Sequence, residues 1–188
     1  MTRRKSGKSS WADVKDPLSR FDRAGLIDLL HDLYDASEDN RVFLHTRFGI
    51  GAEVLEPYKK ALERWLRPDV TKPSQEISVS KALKAISGYK KAVGDPEGLL
   101  DLMTYYCELA ALFTCDVGMD GDSWFSALIR TFAGALKLAA SMDSERRAAF
   151  VYRLGRVRNI CSDLGWGVGG AIDDLWSQFD FEAATTEQ

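Results

Sequence analysis

The residues of this sequence that could carry chemistry fall into a few arrangements. His31 follows Asp28 by three residues and precedes Asp35 by four, a spacing that places the three side chains on one face of a helix. Such a group could bind a divalent metal or transfer a proton. One histidine among flexible carboxylates on a solvated face is, however, typical of surface salt bridges. We therefore predict no metal site and no cofactor.

The segment Gly165-Trp166-Gly167-Val168-Gly169-Gly170 matches the GxGxxG pattern of dinucleotide-binding turns. That fingerprint requires a strand before it and a helix after it, whereas here a long helical pattern precedes it. We expect a helix end followed by a tight turn, in which glycines supply positive φ angles and Trp166 packs the turn onto the core. No nucleophile and base stand in a catalytic arrangement, so we assign no catalytic residue and favour a protein that is not an enzyme.

Charged residues on apolar helix faces form a second candidate site. Lys90 and Arg153 each fall beside an apolar stripe, while Asp101, Thr104 and Glu108 make a narrow polar line on an otherwise apolar helix. An unpaired buried charge is costly, so we expect Glu108 or Asp101 to pair with Lys90 or Arg153. The resulting network is either structural or part of a polar pocket for a small ligand, formed by Lys90, Asp101, Glu108 and Arg153.

The helix predicted over 144–163 is rich in arginine, and the helix after it carries Asp173, Asp174 and Asp180. Charge pairing between these two neighbouring helices explains the pattern, and a surface for an anionic partner is the alternative. The candidate interaction surface consists of Arg146, Arg147, Arg156, Arg158 and Trp166.

Length and charge limit the function classes. The chain has 188 residues, of which 45% are apolar and 28% charged, enough for one domain with an ordinary core. The first ten residues hold four bases and no acid, which leaves 21 bases and 28 acids, a net charge of −7, for the remainder. An acidic body argues against a protein whose main activity is binding nucleic acid. The basic start lacks the apolar stretch of a secretory signal, so we expect a flexible leader over 1–16.

The three cysteines are an odd number without CxxC spacing. Cys107 and Cys161 stand among apolar residues, as small buried side chains do. Reduced thiols of this kind indicate a cytoplasmic protein.

Apolar residues recur at helical spacing along nearly the whole chain, and no run alternates as a strand would. We predict an all-α fold of about eight helices without a sheet, in one domain over 17–180 followed by a frayed tail over 181–188. The helices pack either as an armadillo-like stack of α-hairpins or as a closed bundle. The predicted ranges are about 19–35, 38–48, 57–66, 78–93, 96–115, 123–141, 144–163 and 170–180.

Two of these helices, about 96–115 and 123–141, are apolar nearly all round, which is typical of buried helices. Charged residues interrupt both, so neither is expected to span a membrane. We predict a central hairpin that is covered by the other helices or by a second subunit.

Five segments carry a resemblance: WADVK at 11–15, LIDLLHDLYDASEDNRVFLHTRF at 26–48, KALKAISGYKKAVGDPEG at 81–98, YYCE at 105–108 and GWGVG at 165–169. Together they span most of 11–176 and resemble an uncharacterised bacterial family of small all-helical proteins, a domain of unknown function. The resemblance implies a bacterial, cytoplasmic, helical protein, and it implies no activity.

The leading interpretation is a noncatalytic cytoplasmic interaction or scaffold module with a protein partner or a homo-oligomeric state. The alternative is a small-ligand binder or an enzyme that uses the interior polar residues Lys90, Glu108 and Arg153. A third interpretation is weak nucleic-acid association through the basic leader and the helix over 144–163.

Overall fold

The computed structural model describes residues 10–51, 53–69, 76–119 and 121–186, with side chains described as far as Phe179. In this part of the chain it contains nine α-helices and no strand, which confirms the predicted all-α fold. The helices are α1 (Trp11–Leu18), α2 (Arg23–Ala36), α3 (Glu38–Arg47), α4 (Glu56–Leu66), α5 (Val79–Ala92), α6 (Pro96–Val117), α7 (Asp122–Ala140), α8 (Ser144–Cys161) and α9 (Val168–Thr186).

The chain divides into two compact units, Met1–Leu44 and His45–Gln188, where the sequence predicts one domain. In the first unit, α2 corresponds to the helix predicted over 19–35 but begins at Arg23, and α1 precedes it as a helix that was not predicted. The chain breaks between them because the carboxylate of Asp22 accepts a hydrogen bond from the Gly25 N–H at 2.8 Å and so caps α2. Helix α1 therefore occupies part of the segment predicted as a flexible leader, and residues 1–9 of that leader lie outside the described residues.

In the second unit, three consecutive hairpins stack in two layers. Every extensive contact joins helices that are one or two apart in the chain. Contacts between alternate helices place α4, α6 and α8 in one layer and α5, α7 and α9 in the other. This order of contacts favours the hairpin stack over the closed bundle. The first layer thereby brings side chains of three hairpins together.

The hairpin of α6 and α7 is the core of the second unit, as predicted. Leu100 of α6 and Leu128 and Phe132 of α7 are completely buried. Helix α6 begins where the sequence indicates, since the Asp95 carboxylate accepts from the Gly98 N–H at 2.7 Å. Each fully buried leucine stabilises the fold by about 1.5–3 kcal/mol, so this hairpin is a main source of stability. None of the described helices has the length and apolar character needed to cross a bilayer.

Helix α9 is longer than predicted. Its backbone is helical from Val168 to Thr186, so it includes most of the segment predicted as a frayed tail over 181–188. Residues 187 and 188 of that tail lie outside the described residues.

Candidate functional site

A cluster of charged side chains joins α4, α6 and α8, the three helices of one layer. Arg153 donates from Nε and Nη2 to the two carboxylate oxygens of Glu108, at 2.8 and 2.6 Å, and from Nη1 to Asp101 at 2.5 Å. Lys59 Nζ lies 2.6 Å from the second oxygen of Asp101. The predicted pairing of Arg153 with Glu108 and Asp101 is therefore confirmed.

The cluster is half-buried between the helices. The side chains of Arg153, Asp101 and Glu108 are 28%, 15% and 24% exposed to solvent. Asp101 and Glu108 are seven residues apart on α6 and lie on one line of that helix, so a single planar guanidinium can reach both. Two parallel hydrogen bonds to one carboxylate are the strongest geometry that an arginine forms with an acid.

The electrostatics keep these groups charged. Burial by itself would raise the pKa of Asp101, but the hydrogen bonds from Lys59 and Arg153 outweigh burial and lower that pKa below its ordinary value. The hydrogen bonds to Glu108 raise the pKa of the Arg153 guanidinium further. Neither Asp101 nor Arg153 is therefore suited to exchange a proton near neutral pH.

Tyr105 and Glu63 extend the cluster beyond the residues that the sequence indicates. The Tyr105 hydroxyl donates to Glu63 of α4, and the Lys59 ammonium lies 5.6 Å from the centre of the Tyr105 ring. Burial, followed by the Glu63 carboxylate, raises the pKa of Tyr105. The spacing in the sequence could have indicated these residues. Lys59 and Glu63 are four residues apart on α4, and Tyr105 follows Asp101 by four on α6, so each pair shares one helix face.

Two side chains that the sequence placed beside this polar region, Lys90 and Thr104, do not join the cluster. Lys90 is exposed, because Ala82, Tyr89 and Ala92 define the buried face of α5 and Lys90 falls at its edge. Thr104 is fully buried and its hydroxyl has no hydrogen-bond partner within the described part of the chain, so it takes no part in the cluster. Lys59 occupies the role that was expected of Lys90.

The chemistry open to the cluster is limited by its own hydrogen bonds. Both carboxylate oxygens of Asp101 and both of Glu108 already accept from Arg153 or Lys59. A ligand that contacted either carboxylate would have to share its oxygens with these cationic donors. The geometry thus fits a clamp that holds α4, α6 and α8 together, and a ligand pocket at this place stays a prediction.

The arginines of α8 mostly face acids of the same chain. Arg158 donates to Asp173 of α9 at 2.5 Å, and Arg146 lies 3.3 Å from an acid at the start of its own helix. Arg147 is half-buried and Arg156 is exposed. The contact between Arg158 and Asp173 agrees with charge pairing between neighbouring helices, and it removes part of the basic surface that an anionic partner would require.

Trp166 does not pack the turn between α8 and α9 onto the core, so that prediction is wrong. Its indole is 72% exposed, and its backbone has a φ of +61°, a left-handed conformation that side chains as large as tryptophan rarely adopt. The neighbouring Gly167 has a φ of +73°. The turn is held instead by a close backbone contact, because a Cβ at Gly169 would lie 2.7 Å from the carbonyl oxygen of Ser162.

The remaining chemical candidates are surface or core side chains. His31 and Asp35 form an exposed pair with 3.7 Å between Nδ1 and the carboxylate. Across the described ranges, no group of three or more His, Cys, Asp or Glu side chains could hold a metal ion. Cys107 and Cys161 are buried free thiols and Cys115 is an exposed one.

The first unit carries a second feature of interest, an apolar surface on α2. Leu26, Ile27, Leu30 and Leu33 are 39%, 54%, 50% and 47% exposed, and their spacing places them on one side of the helix. We call these four residues the α2 face. Neither α1 nor α2 has a buried side chain. A one-sided apolar pattern such as that of α2 is typical of a helix that packs against something, but the pattern does not indicate whether the same chain covers it.

No protein-family model, no curated protein and no solved structure matches this chain. The resemblance to a bacterial family of unknown function therefore stays a prediction.

Proposed function

We propose that this protein is a noncatalytic helical interaction module. The second unit serves as a scaffold of stacked hairpins, and the α2 face is the surface that contacts a partner protein. The observation that carries the proposal is the exposure of four large aliphatic side chains on one side of α2, a helix without a buried residue.

The size of the α2 face supports this role. Its four partial exposures correspond to about two whole leucine side chains, or roughly 350–400 Å² of apolar surface, within the range at which patches on soluble proteins mark interaction sites. Single exposed leucines are ordinary on protein surfaces, but four on one helix face are not. Covering such a face would remove aliphatic surface from water, the main favourable contribution to protein association.

The other two candidate functions receive less support. The carboxylates of Asp101 and Glu108 are engaged by Arg153 and Lys59, which leaves a small ligand few free polar groups. Residues 1–9 of the basic leader lie outside the described residues, and Arg158 of α8 faces Asp173. We therefore favour protein interaction over ligand binding and nucleic-acid association.

Two matched truncations test whether the α2 face is a contact surface or part of the core. Leu30→Ala removes a half-exposed leucine, and Leu62→Ala removes a completely buried leucine of α4. We expect Leu62→Ala to lower the free energy of unfolding by about 2–5 kcal/mol and Leu30→Ala by less than about 1 kcal/mol, measured by urea denaturation at low micromolar protein. A loss at Leu30 as large as that at Leu62 would show that the face is already covered within the chain, and would contradict the proposal.

A further inference from the structure

We propose that the partner of the α2 face is a second copy of this chain, and that the two α2 helices pack antiparallel with Leu30 at the two-fold axis. The inference rests on the proposed function, which it deepens by naming the partner. The contact is isologous, so each α2 face covers the same face of its partner.

The order of residues along α2 is self-complementary about Leu30. In an antiparallel pair, positions equally far before and after the axis lie opposite each other. Ile27 then meets Leu33 of the other copy, Leu26 meets Tyr34, and Leu30 meets Leu30. Every residue of the face is therefore opposed by an apolar or aromatic side chain.

The charges favour the antiparallel direction over the parallel one. Arg23 lies at the N-terminal end of the same side of α2, seven residues before Leu30. A parallel pair would place the two Arg23 guanidinium groups together, whereas an antiparallel pair places each near the C-terminal end of the other α2, whose helix dipole favours a positive charge. The acids Asp28 and Asp32 project from the opposite side of the helix, so no carboxylates face each other.

The small area of the α2 face predicts a weak, reversible dimer. The α2 face offers roughly 350–400 Å² per chain, about half of the ~800 Å² that each partner buries in a standard interface. Together the two faces would bury about 700–800 Å², less than the ~1,000 Å² expected of a stable interface, so the contact can only be weak, and we expect a dissociation constant between about 1 and 100 μM.

Sedimentation velocity of the full chain over a concentration series tests the association. We expect the wild-type protein to shift from the 21.0 kDa monomer towards twice that mass as its concentration rises through the micromolar range. Leu30→Glu places a charge at the axis and should keep the protein monomeric throughout. Ala24→Glu is the matched control, since it adds the same carboxylate about 120° around α2 and should dimerise as the wild type does.

Cysteine cross-linking tests the direction of the helices, with Cys115→Ser as the background because Cys115 is the exposed native thiol. Leu30→Cys should form a disulfide-linked dimer on mild oxidation, since residue 30 lies opposite itself. Leu26→Cys should not, because the two copies of residue 26 would be about 12 Å apart along the axis, beyond the reach of a disulfide. Equal cross-linking at both positions would overturn the antiparallel arrangement.

The paired truncations Leu30→Ala and Leu62→Ala, unfolded in urea at the lowest concentration, separate the two proposals. A wild-type protein that stays monomeric while Leu30→Ala costs much less stability than Leu62→Ala would overturn the second copy as partner and leave the interaction module standing. A monomer in which Leu30→Ala costs as much stability as Leu62→Ala would show that the same chain covers the face, and would overturn both. A dimer that persists in Leu30→Glu would refute the proposed interface.

Discussion

Arg153→Met is the sharpest test of the charged cluster as the clamp of the second unit. The substitution keeps an unbranched side chain of similar reach and removes three charge-assisted hydrogen bonds, two to Glu108 and one to Asp101. Asp101 retains Lys59, but Glu108 loses both of its bonds to Arg153 in a site where it is only 24% exposed. Breaking a fully buried ion pair costs about 3–5 kcal/mol, and with a quarter of the cluster exposed we expect about 2–3 kcal/mol.

Urea denaturation of the single and double variants measures this cost. If the cost arises from the stranded Glu108 carboxylate, the double variant Arg153→Met with Glu108→Met should recover to within about 1 kcal/mol of the wild type, because an apolar pair can replace a buried ion pair. A loss below about 0.5 kcal/mol for Arg153→Met alone would refute the reasoning, since it would place the pair among solvated surface salt bridges.

Acid should reduce the effect of Arg153→Met. Because the folded protein lowers the pKa of Asp101, the pairing of this carboxylate stabilises the fold above the unfolded value of about 3.9 and is lost as pH falls through the folded value. The difference between wild type and variant should therefore be constant from about pH 8 to 5 and shrink below about pH 4. A difference that grows in acid would contradict the assigned pairing.

Two further pairs of neighbouring residues give opposite expectations. Tyr106 has a buried hydroxyl without a hydrogen-bond partner among the described residues, so Tyr106→Phe should be neutral or stabilise the fold by up to about 1 kcal/mol. Tyr105→Phe loses the hydrogen bond to Glu63 and should destabilise the fold by about 0.5–1.5 kcal/mol, measured by thermal or urea unfolding. Gly169→Ala should destabilise the fold by about 1–3 kcal/mol, because its Cβ would lie 2.7 Å from a backbone oxygen. Gly170→Ala should be neutral or stabilising, because residue 170 is helical and its Cβ would have no atom within 4 Å. Equal effects at the two glycines would contradict the close contact at Gly169.

Much of the secondary structure could be predicted from local pattern. The bounds of α3 to α8 agree with the predicted ranges to within a few residues, because apolar periodicity and end signals act over a single turn. Asp95 followed by Pro96 marks the start of α6 for this reason. The start of α2 was missed, although Asp22 caps it by the same local rule.

The candidate sites were harder to predict. Arg153 is 45 residues from Glu108 and 52 from Asp101 along the chain, and its pairing depends on how α6 and α8 cross. The sequence analysis indicated Lys90 as the lysine of this region and missed Lys59. Packing of α4 against α6 places Lys59 beside Asp101, whereas Lys90 lies outside the buried face of α5 and is exposed.

The amino-acid sequence by itself determined the helical class, the helix ends and the choice of α6 and α7 as the buried hairpin, because these follow from the chemistry of neighbouring residues on one helix. Only the tertiary structure decided which charges meet and which apolar face stays exposed. The one-sided apolar pattern of α2 is the same whether the chain itself or a partner covers that side. The difference arises from what packs against each helix, and the α2 face has its leucines exposed.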